Sequence, residues 1–235
     1  EWTHPLPVVL GHEGAGVIER VGPRVTRLKT GQTVILNFRA NCGSCHYCII
    51  GRPVLCNGIK TPRNTMFDGT SRLSKASEKI HHMTRTSCFA EYAVVPESGA
   101  VPVCSDMPLN KGCLVGCAVM TGVGAVTNTA RIEAGSTVAV IGCGGIGLNV
   151  VQGAVLAGAG RIIAVDLLDN KLEYAKEFGA TDLVNGSSGD VVDKVLALYG
   201  GVDYAFEAIG NVETIHQAYQ MLALGGTVIV VGIAP

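Results

Sequence analysis

The chain has 235 residues, 48% hydrophobic and 16% charged, with a formal net charge of −1 at pH 7. This composition provides an ample core and excludes disorder, and near-neutrality excludes the electrostatic footprint of a nucleic-acid or acidic-membrane binder. No apolar run reaches the roughly 18–20 residues that span a bilayer and no basic-then-apolar leader opens the chain, so a cytoplasmic protein with neither nucleic-acid nor membrane partners is expected.

From Glu1 to about Met120 the sequence reads as an irregular, β-rich domain. Gly11-His12-Glu13 precedes a β-like run, Gly14–Val21. Further runs, Thr33–Asn37 and Glu91–Val95, are separated by Gly, Pro, Asn and Cys, a pattern of short strands and turns that suits a partly barrel-like fold. Between them Cys42, Cys45, Cys48 and Cys56 form C-x2-C-x2-C-x7-C in a polar, glycine-containing loop. Four thiolates from one lobe suit tetrahedral zinc, which takes four soft ligands in a closed structural site. An iron–sulfur cluster also uses four thiolates. A redox C-x2-C pair needs only two and expects a βαβ context. Nine cysteines, four of them clustered, read as metal binding in a reducing compartment, not as a disulfide framework. His46, inside the lobe, reads as a surface residue, as do His81, His82 and His216. Cys88, Cys104 and Cys113 read as packing residues. Taken alone, His12 reads as a satisfied core histidine and Cys117, in Gly116-Cys117-Ala118, as a small buried residue.

From Thr121 onward the texture changes. Apolar runs at Thr137–Ile141, Arg161–Val165, Tyr204–Glu207 and Thr227–Val231 alternate with helical stretches, which predicts a doubly wound parallel sheet covered on both faces. The run Lys171–Phe178 repeats Leu172, Ala175 and Phe178 at helical spacing and ends at Gly179, an expected C-cap. Thr137–Ile141 leads directly into Gly142-Cys143-Gly144-Gly145-Ile146-Gly147 and then an apolar helix. That is G-x-G-x-x-G between a strand and a helix, where the glycines permit a tight turn, close approach to a pyrophosphate, and helix–strand contact. Asp166 ends the next strand about 20 positions beyond Gly147, where a carboxylate accepts from both ribose hydroxyls and repels a 2′-phosphate, favouring NAD over NADP. The turn Glu207-Ala208-Ile209-Gly210 lies at a strand's C-terminal end and borders the expected cofactor site.

These motifs, in this order, resemble those of zinc-dependent medium-chain alcohol dehydrogenases. The loop Asp68-Gly69-Thr70-Ser71-Arg72 and the run Phe89-Ala90-Glu91-Tyr92 resemble the class holding the liver-type and thiol-dependent formaldehyde dehydrogenases. The resemblance implies an α/β protein with a partial GroES-like catalytic domain (1–120, zinc lobe at about 42–56), a Rossmann domain (121–235) lacking its last strand, and an active site between them. It implies two zinc ions, one structural on Cys42, Cys45, Cys48 and Cys56 and one catalytic on His12 and Cys117, with Glu13 beside the latter. It implies that Thr121 and Ile146 contact the nicotinamide, that Asp166 and Lys171 hold the adenosine ribose, that Val231 and Ile233 line the cofactor site and that Phe38 lines the alcohol pocket. The expected activity is NAD-dependent oxidation of a primary alcohol, or reduction of its aldehyde, by a homo-oligomer when full length. Oxidation of a thiol–formaldehyde adduct is the alternative within the class. In the family a further zinc-ligating cysteine lies upstream of the position of Glu1, so a fragment truncated at both ends is expected, and a non-catalytic NAD- and zinc-binding chain stays open, with a redox-sensing zinc protein behind it.

Overall fold

Residues 5–234 are described by the computed structural model, and the chain divides into two units, Glu1–Cys117 and Ala118–Pro235. In the first, short strands follow from short apolar runs broken by Gly and Pro. They are β1 (Val8–Val9), β2 (Ala15–Val17) and β3 (Thr33–Leu36), then, after the one-turn helix α1 (His46–Ile49), β4 (Leu73–Lys75), β5 (Glu78–His82) and β6 (Ala100–Pro102). A short helix, α2 (Leu109–Gly112), precedes a 3-10 turn at Cys113–Gly116. The strands form two three-stranded sheets, ordered β1-β5-β4 and β2-β3-β6. β3 is the centre of the second, antiparallel to both neighbours, and its Val34, Ile35 and Leu36 are all buried.

Four expectations for this unit are corrected, and the first is Cys104, which is exposed and does not pack. The run Gly14–Val21 narrows to Ala15–Val17, although Ile18 prolongs the pairing by donating to Gln32 O (2.9 Å) and accepting from Gly31 N (2.8 Å). Glu91–Val95 forms no strand, and Tyr92 and Val94 are exposed. The run stops at Pro96, which has no N–H to give a ladder. His82 is not a surface residue: it is 1% exposed, and its Nε2 accepts the Arg72 backbone N–H at 3.1 Å. Its partner in sequence, His81, is half-buried, with Nδ1 2.8 Å from Asn64 Nδ2.

The second unit begins with α3 (Ala118–Gly124), which continues into a π-helical stretch at Ala125–Ala130. Strands and helices then alternate: β7 (Thr137–Ile141), α4 (Gly145–Leu156), β8 (Arg161–Asp166), α5 (Asp169–Glu177), β9 (Asp182–Asn185), α6 (Val191–Tyr199), β10 (Val202–Glu207), α7 (Val212–Gln220) and β11 (Leu222–Val230). All five strands pair in parallel in the order β11-β10-β7-β8-β9. Counted from β7, this is the 3-2-1-4-5 order of a doubly wound sheet, with its switch point between β7 and β10.

Two core clusters explain the continuous apolar strands. Val138 and Val140 of β7 face Val150, Val151 and Ala154 of α4 and Leu172 of α5. Ala139 and Ile141 face the other way, with Val195 of α6 and Ala218 of α7. Alternate residues of one strand thus serve opposite faces, and both are covered. No single helix among the described residues is long and apolar enough to cross a membrane.

Candidate functional site

The four-cysteine lobe is built by α1 and the turns around it. Cys45 precedes α1, Cys48 lies within it, Cys42 comes from the chain before it and Cys56 directly follows the 3-10 turn Pro53–Leu55. All four ligand atoms lie within 4.8 Å of one another. The sulfur separations are 3.5 Å for Cys45–Cys48 and Cys42–Cys56, 3.8 Å for Cys45–Cys56 and 4.0 Å for Cys42–Cys48. A tetrahedron of sulfurs at about 2.3 Å from zinc has edges of roughly 3.8 Å, so the donor set fits the ion. None of the nine cysteines forms a disulfide. The N–H groups of Cys42 and Cys45 donate to Cys56 Sγ and Cys42 Sγ at 3.3 Å each, favouring thiolates. The Cys48 N–H chiefly lowers the Cys45 thiol, to about 6, whereas desolvation chiefly pushes Cys48 up to about 12. A dication within the cluster offsets that desolvation with direct attraction. Sequence reasoning missed Gly58: a Cβ there would stand 2.5 Å from Cys42 Sγ, so only glycine lets the chain cross this close to the lobe. His46 is exposed, as expected.

His12 and Cys117 lie on separate segments that the first unit brings against one residue, Leu36, at the end of β3. On one side Gly14 O accepts the Leu36 N–H at 2.7 Å. On the other, a Cβ on Gly116 would be 2.2 Å from Leu36 O. Gly11 turns the chain with φ +96, and its own missing Cβ makes room for Phe89. The His12 imidazole then packs edge-on against Phe38, with centroids 5.3 Å apart. Cys117 is half-buried and donates its N–H to Leu114 O at 3.4 Å. Glu13, next to His12, is half-buried. The nearby Cys88 thiol is raised, mainly by burial and further by the charges of Cys113 and Glu13.

In the second unit the glycine-rich turn leaves β7 at the switch point. Gly142 takes φ +92, and a Cβ there would lie 2.5 Å from Ile209 Cγ1. A Cβ on Gly147 would lie 1.7 Å from Gly142 O, so α4 starts in contact with the turn. By contrast, Gly144 and Gly145 face open space, and no side chain caps α4. Its first N–H groups therefore point into an accessible cradle, which fits a pyrophosphate. Asp166 Oδ2 accepts the Cys143 N–H at 2.8 Å and Oδ1 accepts the Leu168 N–H at 3.1 Å, fixing the carboxylate beside that cradle. Cys143 is a packing residue: it is fully buried, and burial, reinforced by the Asp166 charge, pushes its thiol up to about 12. Gly122 touches Ile146 O and Asn149, which sets Thr121 of α3 next to the start of α4. Lys171 lies half-buried in the first turn of α5. Val231 and Ile233 follow β11, Ile233 being largely exposed.

The alcohol dehydrogenase GroES-like domain family matches residues 1–108, and the zinc-binding dehydrogenase family matches residues 145–235. A probable S-(hydroxymethyl)glutathione dehydrogenase 1 of Schizosaccharomyces pombe is 46% identical over 97% of this chain and 62% of its own length. Among solved structures, an alcohol dehydrogenase zinc-binding domain protein from Burkholderia ambifaria superposes with a TM-score of 0.92 at 40% identity, covering 98% of this chain and 63% of its own. A benzyl alcohol dehydrogenase from Acinetobacter calcoaceticus gives 0.89 at 36% identity, with the same two coverages. The chain thus spans about 62% of the length of curated relatives such as this one.

Proposed function

We propose that the protein belongs with the zinc-dependent alcohol dehydrogenases that its two units resemble, and that it transfers a hydride between a primary alcohol, or its aldehyde, and NAD. The observation that carries the proposal is the meeting of the His12 and Cys117 segments on Leu36. It offers an imidazole and a thiolate from one unit, the mixed donor set that a catalytic zinc takes while keeping one position open. When bound, the zinc supplies Lewis acidity and the nicotinamide a two-electron acceptor.

The chain's own residues orient the reaction. His12 and Cys117 hold the catalytic ion, Glu13 tunes it from beside His12, and Phe38 offers the substrate an apolar wall. Cys42, Cys45, Cys48 and Cys56 hold the structural ion. Gly142, Gly144, Gly145 and Gly147 admit the pyrophosphate to the α4 N-terminus. Asp166 accepts from the ribose hydroxyls and disfavours a 2′-phosphate, with Lys171 alongside. Thr121, Ile146, Ile209, Val231 and Ile233 form the apolar lining. In this reading residues 1–120 are the GroES-like catalytic portion and 121–235 the Rossmann domain. A cysteine cluster arranged for a metal and not for disulfides suits a cytoplasmic location.

A second reading, oxidation of a thiol–formaldehyde adduct, is favoured by the name of the Schizosaccharomyces pombe relative. A substrate panel tests both: NADH formation is followed with free primary alcohols and with formaldehyde plus glutathione, before and after zinc removal. Zinc-dependent turnover with free alcohols supports the first reading, and turnover only with the adduct supports the second. Turnover that survives complete zinc removal refutes both.

A further inference from the structure

We infer that Glu207 is a positioning residue that ties together three turns forming the floor of the cofactor site, an inference that rests on the NAD reading above. Glu207 ends β10 at the switch point of the sheet and is fully buried. No ion pair among the described residues reaches it. A buried carboxylate without a cation survives only when donors converge on it. Here they do: Oε1 accepts the N–H groups of Ile209 (3.0 Å), Gly210 (2.8 Å) and Asn211 (3.5 Å), and the Thr214 hydroxyl at 2.8 Å.

These donors belong to the turn after β10. Its Ile209 side chain occupies the space that a Cβ on Gly142 would need, so the turn also sets the start of the glycine-rich loop. The third turn, after β11, is held by the same residue: the Glu207 carbonyl accepts from Val231 N at 2.8 Å and Gly232 N at 3.0 Å. It packs backbone to backbone on the second, since a Cβ on Gly232 would be 2.0 Å from Gly210 N. Oε2, buried and without a hydrogen-bond partner, faces Gly232. One side chain therefore sits at the junction of residues 142–147, 209–211 and 231–233.

Simple capping of α7 does not account for this arrangement. Asn211 already caps that helix, its side chain accepting from Glu213 N at 2.8 Å. The amides that Glu207 takes are those of the turn itself. Its role is to fix the shape of the surface on which the cofactor lies, so its loss weakens cofactor binding and leaves kcat at saturating NAD largely unchanged.

The test compares Glu207→Gln, Glu207→Asp and Glu207→Ala by NADH fluorescence titration, circular dichroism and amide exchange without ligand. Gln keeps an oxygen at Oε1 and binds NADH within threefold of the parent protein. Asp withdraws the carboxylate and Ala removes it, so both raise the Kd at least tenfold and speed exchange of the Ile209 and Gly210 amides at least tenfold. Folded Asp and Ala variants with parental affinity and exchange overturn the inference. Collapse of both variants also overturns it, by assigning Glu207 to the stability of the whole unit. If the parent protein fails to bind NADH, the NAD reading falls, and the ligand-free exchange still decides whether Glu207 ties the turns.

Discussion

Replacing Gly147 with alanine tests how closely α4 must approach the turn after β7. The added Cβ would lie 1.7 Å from Gly142 O and 2.8 Å from its carbonyl carbon. These are backbone atoms in a turn held by the Gly142 N–H bond to Val165 O at 2.8 Å, so no side-chain rotation relieves the clash. To restore an ordinary contact the helix must withdraw by roughly 1.5–2 Å. Val150, Val151 and Ala154 are fully buried on that helix, and they would be pulled from the core. Overpacking costs about 1–3 kcal/mol, and a rigid backbone partner puts this case near the top. About 3 kcal/mol corresponds to a loss of roughly 10–15 °C in the melting temperature of a unit of this size. Gly144→Ala is the control, because a Cβ there meets nothing within 4 Å. It should leave the melt of the ligand-free protein unchanged, yet raise the NADH Kd about tenfold by obstructing the pyrophosphate's approach. Circular dichroism melts and fluorescence titrations read both quantities. A Gly147→Ala protein that melts with the parent would refute the reasoning.

Replacing Asp166 with asparagine keeps an acceptor for the Cys143 and Leu168 amides but removes the charge. The NAD-to-NADP preference should fall about tenfold with little loss of stability, as measured by kcat/KM for each cofactor. Burial lowers the pKa of His82, with the Arg72 and His81 charges acting in the same direction. Its neutral form therefore contributes stability above the ordinary histidine value that is lost as the pH falls through the lower folded value. The fall in urea midpoint between pH 7.5 and pH 5.5 should be smaller in His82→Gln than in the parent; equal falls would contradict this. The Asp68 carboxyl is held below its ordinary value chiefly by the Arg72 side chain. In Arg72→Ala it should titrate closer to about 3.9, read by NMR.

Much of the second unit was legible because its signals are local. The strand Thr137–Ile141 and the positive-φ glycine at Gly179 stand where the sequence put them, since the apolar run and the helix stop are written in neighbouring residues. β10 and β11 extend beyond the predicted runs, starting at Val202 and Leu222, because the ladder recruits residues of weaker pattern. The four-cysteine lobe was legible from spacing alone, but the need for glycine at position 58 was not, because that contact depends on how the lobe folds. In the first unit the decisive contacts are long-range. Nothing in the sequence near Gly116 says that it must touch the Leu36 carbonyl. Likewise, nothing near His82 says that a backbone N–H from Arg72 will bury it. The exposed residues of Glu91–Val95 have strand composition but no ladder partner, so composition misled there.

Zinc content per chain, read by native mass spectrometry of the protein and two variants, bears most directly on the claim of two metal sites serving separate roles. The account predicts about two zinc ions in the parent and about one in His12→Ala, the remaining ion being that of the cysteine lobe. In Cys45→Ser it predicts loss of the lobe ion and retention of the other. Two ions still bound in His12→Ala would contradict the assignment of His12 as a ligand, and with it the chemistry proposed for this protein.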